Sequence, residues 1–208
     1  MHISEGVLSP GVLIAGAALT TAGVAVGLKG LDHEEIPSMG ILSAAFFVAS
    51  LVHVPIGPSS VHLILNGLLG LILGWKAFPA ILVGLALHAL LFQFGGITTL
   101  GVNTLNMALP AIICSYLFGW GVRTGTRQLI FTVTAFACGS CAVLISGMLV
   151  GFSLYLTGEA FLPAAKVVVA VHFPVMLIEG VLTAACALFL RRVKPELLEG
   201  EYVAKPSF

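Results

Sequence analysis

Long apolar stretches alternate with short breaks along the whole chain. The breaks fall at Gly, Pro and small clusters of charged residues. They predict seven helices, at residues 11–28, 39–54, 60–75, 77–94, 104–119, 129–156 and 166–190. Several of these stretches reach or approach the roughly 20 residues that a helix needs to cross a bilayer. The pattern therefore predicts an all-α integral membrane protein with one polytopic domain over residues 1–208.

Composition supports the membrane interpretation. The chain is 59% hydrophobic and only 9% charged, and its mean hydropathy is +1.11. A soluble domain has about 25% charged residues, so the chain has too few charges to coat a soluble globule. It also leaves no room for a soluble catalytic module. The net charge is zero, which gives no indication of a nucleic-acid partner.

The basic residues predict the orientation in the membrane. With the N-terminus outside, only Lys166 of the nine Lys and Arg residues lies on the outer side. This asymmetry is what the positive-inside rule requires, and it makes residues 191–208 a cytoplasmic tail. The first basic residue is Lys29, so the chain lacks the positive start of a cleavable signal peptide, and we expect the N-terminus to be retained.

Two loops on the predicted outer side carry no charge. They read VPIGPSSVH at 54–62 and QFGGITTLGVNTLN at 93–106. Irregular backbone is tolerated at membrane depth when protein buries it or when it lines a cavity. We therefore expect both loops to form walls of an outward-facing pocket.

The histidines are the main candidates for chemistry in this apolar chain. His33 lies among acidic residues in a loop and is interpreted as solvated, and His53 ends the second predicted helix. His62, His88 and His172 lie in or near apolar helices. Ionisable residues in such places face the interior of the bundle and are functional candidates by default.

Each of these histidines also has a purely structural interpretation. His62 is either a hydrogen-bonded helix-start residue or a ligand that Asn66, four residues on, helps to orient. His172 and Glu179 share one face of the last predicted helix, where an interhelical hydrogen bond is the favoured interpretation. His88 is interpreted as a packing residue on the same grounds.

Other polar positions are less specific. Asn103 and Asn106 flank a predicted helix start, so they either cap it or line the pocket. Cys138 and Cys141 are spaced as a CxxC pair, but inside a membrane helix this spacing indicates close packing of small residues.

The first two residues form a possible chelator. Met1 offers its α-amine, and His2 offers its backbone amide nitrogen and its imidazole. Ni(II) and Cu(II) prefer square-planar nitrogen ligands, and His62 is the best-placed fourth nitrogen. This requires that Met1 is retained and deformylated. The alternative is a solvated terminal tail.

Four stretches resemble one known family in collinear order over nearly the whole chain. They are MHISEGVLSP, VPIGPSSVHLILNGLLGLILG, HALLFQFGGITTLGVNTLNM and HFPVMLIEGVLTA. They are similar to the CbiM/NikM family, the substrate-binding membrane subunits of energy-coupling-factor transporters for cobalt and nickel.

The resemblance implies a fold and a site. It implies one extra N-terminal helix before a six-helix core, with residues 1–10 inserted into the outer pocket. It implies that the metal ligands are the Met1 amine, the backbone and imidazole nitrogens of His2, and His62. Glu5 matches the family's acidic residue and is expected to hold the tail in place. Ser60 matches the serine of the Ser-x-His motif and is expected, with the asparagines named above, to line the pocket.

We therefore expect the substrate-binding subunit of a nickel importer in a prokaryotic inner membrane, with no enzymatic activity of its own. Cobalt-type members often carry Gly-Ser-(Cys/Thr)-Ser-His-Pro, whereas this chain has Gly-Pro-Ser-Ser-Val-His-Leu, which favours Ni(II) over Co(II). The implied partners are a transmembrane coupling subunit, two cytosolic ATPases and a small additional membrane subunit. The alternatives are a cobalt-specific subunit, an intramembrane metalloenzyme, which a saturated metal would disfavour, and a stand-alone channel or carrier.

Overall fold

The computed structural model of the protein describes residues 2–51, 53–56, 59–125 and 127–199, and the side chains of these residues other than 53–56, 59–61 and 199. Four predicted features fall outside this part: Met1, the side chains of His53 and Ser60, and residues 200–208 of the predicted tail.

The described part is a helical bundle with one small hairpin, which confirms the all-α class. Seven helices of eight or more residues follow the predicted order, and an eighth short one follows them: α1 Pro10–Lys29, α2 Ile36–Ala49, α3 Asn66–Leu73, α4 Ala77–Phe92, α5 Leu100–Thr124, α6 Gln128–Thr157, α7 Leu162–Val193 and α8 Glu196–Glu199. Single 3-10 turns lie at His33–Glu35, Gly74–Lys76 and Glu159–Phe161.

The third predicted helix, 60–75, starts in the wrong place. Residues His53–Ile56 (β1) and Ser59–His62 (β2) form an antiparallel hairpin in which His53 lies opposite His62. Residues 60 and 61 pair with Pro55 and Val54 of β1 instead of starting a helix, and α3 begins only at Asn66. His62 therefore ends a strand instead of lying in a helix.

Five segments of the described chain are long and apolar enough to cross a membrane. They are Pro10–Lys29, Asn66–Phe92, Leu100–Thr124, Gln128–Thr157 and Glu159–Val193. The segment Asn66–Phe92 contains two arms, α3 and α4. The chain reverses at Gly74, whose φ of 53° is in the left-handed region that glycine adopts without strain.

Two contacts establish this reversal. The rings of His62, just before α3, and His88, late in α4, both lie against the ring of His2, at centroid distances of 4.5 and 5.1 Å. At 1.5 Å per residue, one straight helix between them would separate them by about 39 Å. The two arms are therefore antiparallel.

The bundle consequently has two ends. The chain start, the hairpin and the loop between α4 and α5 lie at one end, which we call the His2 end. Seven of the eight described Lys and Arg residues lie at the other end: Lys29, Lys76, Arg123, Arg127, Arg191, Arg192 and Lys194. Lys166, near the start of α7, lies at the His2 end. By the positive-inside rule, the His2 end is the outer one.

Candidate metal centre

The chain start enters the bundle. His2 and Ile3 are 2% and 0% exposed, and Leu8 is also buried. Ile3 and Leu8 belong to the same hydrophobic core cluster as Met107 of α5. The first residues are therefore packed as part of the fold, which contradicts the alternative of a solvated tail.

Asn103 of α5 holds this segment by its backbone. Its Oδ1 accepts a hydrogen bond from the Ile3 N–H at 2.9 Å, and its Nδ2 donates to the Ile3 carbonyl at 3.1 Å. One side chain thus satisfies both backbone groups of a buried residue, as a neighbouring strand would. Nδ2 also lies 3.2 Å from Oγ1 of Thr99, which fixes the amide.

The loop between α4 and α5 forms a second anchor. The Glu5 N–H donates to the Gly95 carbonyl at 3.0 Å, and the Glu5 carboxylate accepts the Thr98 N–H at 3.3 Å. Gly95 has a φ of +78°, and a Cβ there would meet Asn103 and His2. At Gly96 a Cβ would collide with the Glu5 carboxylate. The loop is therefore shaped to receive the chain start.

Three histidines meet at the inner end of this segment. The ring of His2 stacks on that of His62, with 4.5 Å between centroids and 26° between planes. The ring of His88 meets His2 edge-on at 5.1 Å, and Phe94 flanks His2 at 6.3 Å. All three histidines are buried. The structure therefore brings together the two predicted imidazole ligands, and it places the ring of His88 against His2.

Backbone carbonyls determine which nitrogen carries the proton in two of these rings. Nδ1 of His62 lies 2.7 Å from the Leu63 carbonyl, which can only accept, so Nδ1 is the protonated nitrogen. Nε2 of His62 is then an unprotonated, buried nitrogen that has no hydrogen-bond partner in the described part of the chain. A carbonyl partner on the remote nitrogen is typical of metal-binding histidines.

His88 is the opposite tautomer, with its proton on Nε2. Its Nε2 donates to the Phe47 carbonyl at 2.9 Å, so Nδ1 is its acceptor nitrogen.

Burial also sets the charge state of His62. Desolvation lowers the pKa of the His62 imidazole well below its ordinary value of 6.5. The imidazole is therefore neutral at pH 7, which is the form that binds a metal ion.

Glu179 of α7 contacts the backbone just after His62. Its carboxylate is 0% exposed and accepts hydrogen bonds from the N–H groups of Ile64 and Leu65, the latter at 3.0 Å. His172 donates within its own helix, from Nδ1 to the Val168 carbonyl at 2.5 Å. Although the two residues share a helix, Glu179 bonds the segment before α3, whereas His172 bonds its own helix.

The predicted roles of two asparagines need correction. Asn66 was expected to lie on one helical face with His62, but residues 63–65 between them are not helical. Its amide instead donates to the Met107 carbonyl at 3.1 Å and to Ser146 at 2.9 Å, which joins α3 to α5 and α6. Asn106 does not cap a helix, because α5 begins at Leu100, and it bonds Ser153 of α6 at 3.3 Å.

The donor set of the site is nitrogen-rich. No group of three or more His, Cys, Asp or Glu side chains in the described residues is arranged to hold a metal. The imidazoles of His62 and His88 lie against that of His2, next to the backbone nitrogens of the chain start. His33 is exposed in its 3-10 turn, which follows α1 at the end of the bundle opposite to this cluster. Imidazole and amide nitrogens suit Ni(II) and Cu(II) better than Mg(II) or Ca(II).

A cluster of buried histidines at one end of a bundle with membrane-length apolar helices is typical of a membrane component with a functional polar site. The chain matches the family described as "Cobalt uptake substrate-specific transmembrane region" over residues 2–197. It therefore belongs to this family, the CbiM/NikM family of membrane components that bind the substrate in cobalt or nickel uptake, and it is a transport component, not an enzyme.

Individual relatives agree with this assignment. A metal transport protein of Haemophilus influenzae is 41% identical over 199 residues, which cover 95% of this chain and 97% of the relative. A cobalt transport protein CbiM of Sorangium cellulosum is 30% identical, with 96% of this chain and 95% of the relative covered. The fused nickel transport protein NikMN of Rhodobacter capsulatus is also 30% identical, with 95% and 64% covered.

Solved structures support the fold. The crystal structure of a transition metal transporter matches with a TM-score of 0.76 and 27% identity over 99% of this chain and 100% of that one. A truncated transition metal transporter matches with a TM-score of 0.77 and 27% identity over 93% and 99%.

Proposed function

We propose that this protein captures Ni(II) at the His2 end and is the substrate-binding subunit of an energy-coupling-factor importer. The proposed ligands are the Met1 amine, the backbone and imidazole nitrogens of His2, and Nε2 of His62. The observation that carries the proposal is the buried stacking of His2 on His62, with the proton of His62 held on Nδ1. This leaves a neutral nitrogen next to the chain start.

The choice of Ni(II) over Co(II) rests on the donors. A deprotonated amide, an amine and two imidazoles make a four-nitrogen set, and such sets favour metals with square-planar preferences. The sequence Gly-Pro-Ser-Ser-Val-His at 57–62 also differs from the pattern frequent in cobalt-type members. Cobalt remains the alternative substrate, and relatives are named for each metal.

Transport would need partners. The sequence has no nucleotide-binding motif, so we propose a transmembrane coupling subunit, two cytosolic ATPases and a small additional membrane subunit. With the His2 end outside, capture occurs on the side from which the metal arrives.

Blocking the α-amine of Met1 tests the site. Residues added before Met1 would convert its amine to an amide and would have no room, because His2 and Ile3 are buried. We expect protein with an N-terminal extension to bind no Ni(II), and protein with the same extension at the C-terminus to bind one ion. Metal content after gel filtration measures this. Equal loading of the two proteins would exclude the N-terminal site.

A further inference from the structure

Glu179 is an acidic residue buried within a membrane-spanning helix. Among the described residues, the salt bridge found is between Lys76 and Glu35, and it does not involve Glu179. A carboxylate in apolar surroundings is expensive and marks a functional position. Glu179 uses its oxygens on the backbone instead, by accepting from Ile64 and Leu65.

The backbone that Glu179 holds is irregular. Residues 63–65 connect the hairpin to α3 without helix or strand, and Leu65 has a φ of 54°, in the left-handed region. The N–H groups at a helix start have no partner within the helix. A carboxylate there satisfies two of them and also interacts favourably with the helix dipole. The shape of this connection thus depends on Glu179.

The same connection fixes the His62 ring. Its Nδ1–H donates to the carbonyl of Leu63, the residue just before the two that Glu179 holds. The contacts form an unbroken path from the Glu179 carboxylate, through the backbone of 63–65, to the His62 imidazole. A shift of this backbone would move the Leu63 carbonyl and turn the ring.

Glu179 itself is held rigidly by α6. A Cβ at Gly139 would lie 2.8 Å from the Glu179 carbonyl, so only glycine allows the two helices to approach this closely. One turn earlier on α7, the Met176 carbonyl accepts a hydrogen bond from Ser140 Oγ at 2.9 Å. Glu179 is therefore fixed on α7, and its carboxylate moves with that helix.

We propose that Glu179 is a positioning residue that couples α7 to the metal ligand His62, a role that rests on the function proposed above. The carboxylate holds residues 63–65 in the shape that presents Nε2 of His62 to the metal. A displacement of α7 relative to α3 would withdraw this anchor and weaken metal binding, which gives the transporter a way to release its substrate.

The first test is Glu179→Gln, which keeps the size of the side chain but removes the charge and one acceptor. Thr183→Val is the matched control, because Thr183 is also 0% exposed on α7, one turn away, and contacts α6 at Gly139. Outer partners of metal ligands typically contribute about 10- to 100-fold to affinity. We expect a Kd for Ni(II) raised about 10-fold or more by Glu179→Gln, a shifted visible absorption band, and a change under about twofold for Thr183→Val.

The second test combines Glu179→Gln with His62→Ala. If Glu179 acts through His62, it has nothing left to position in the His62→Ala background. Cu(II) is the probe in all four proteins, because it binds nitrogen sites more tightly than Ni(II) and keeps weak variants measurable. We expect Glu179→Gln to change the Kd by less than about twofold in the His62→Ala protein.

Two results would overturn the proposal: the full Glu179→Gln factor persisting without His62, or an unshifted absorption band in Glu179→Gln. If Glu179→Gln does not fold, Glu179→Asp keeps the charge but shortens the reach, and the same two criteria apply to it. Failure of the proposed metal site is distinguishable, because His62→Ala would then leave the Kd of the otherwise unchanged protein unaltered.

Discussion

Replacing Asn103 with Ala should detach the chain start from α5. Asn103 makes two hydrogen bonds to Ile3, at 2.9 and 3.1 Å, and Ile3 is fully buried next to the proposed ligand His2. Without them, the N–H and carbonyl of Ile3 lose their partner in the docked position but recover water when the segment swings out. The docked form, which alone presents His2 to His62, is therefore destabilised relative to the undocked form.

The expected rise of the Kd for Ni(II) follows from the number of hydrogen bonds that are lost. A neutral hydrogen bond contributes a net of about 0.5–1.5 kcal/mol, so two contribute about 1–3 kcal/mol. At about 1.4 kcal/mol per tenfold change, the Kd for Ni(II) should rise roughly 5- to 150-fold. The packing of Ile3 and Leu8 into the core is unchanged by the substitution, so the segment should still dock when metal is in excess.

Asn106→Ala is the matched control. Asn106 lies one turn further along α5, is equally buried at 2% exposure, and bonds Ser153 of α6 instead of the chain start. Competition titration against a chelator gives the Kd, and hydrogen exchange at the Ile3 amide reports docking directly. A wild-type Kd in Asn103→Ala, or an equal loss in Asn106→Ala, would refute the role of Asn103 in holding the site together.

Two further predictions concern the ligands. His2→Ala should weaken Ni(II) binding more than His62→Ala, because it removes one imidazole and the anchor for amide deprotonation, whereas His62→Ala opens one position that water can fill. Isothermal titration measures both, and a harmless His62→Ala would move the fourth ligand elsewhere, with His53 and His88 next to test. Binding should release more than one proton per Ni(II) near pH 7, because the amide and amine must lose protons. His62 adds little to this release, since burial lowers its pKa well below 6.5 and its imidazole is already neutral. Its burial destabilises the fold as the pH falls below about 6.5, the ordinary imidazole pKa, whereas a proton on the folded His62 competes with the metal only near its own lowered pKa. Release of one proton or fewer in weakly buffered solution would exclude amide coordination.

The helices were predictable because apolar length and breaks are local properties of a sequence. The start of α3 was not, because a Pro-containing apolar stretch before Asn66 suits a hairpin as well as a helix, and pairing of His53 with His62 decides between them. The same error led to the prediction that His62 and Asn66 lie on one face of a helix. The start of α5 was predicted at residue 104 but lies at Leu100, and this produced the capping interpretation of Asn103 and Asn106.

The sequence was sufficient to propose a set of ligands, which stays a prediction, but it did not reveal the residues that hold His2 and His62 in place. The possible chelator of Met1 and His2 lies in two adjacent residues, His62 was the best-placed fourth nitrogen, and the resemblance implies the same set. The bonds of Asn103 to Ile3 and of Glu179 to Leu65 join residues 100 and 114 positions apart. No periodicity in a single sequence encodes such pairs, since both depend on how the helices pack. His88 was predicted to be a packing residue, and its edge contact with His2 likewise arises only from the reversal at Gly74.

The visible absorption spectrum and magnetism of the Ni(II)-loaded protein test the proposed centre most directly. Four nitrogens from Met1, His2 and His62 in one plane should give a yellow, diamagnetic Ni(II) ion, with one ion per protein chain. A pale green, paramagnetic ion would indicate an octahedral site with oxygen ligands. That result would contradict the four-nitrogen site at the buried chain start.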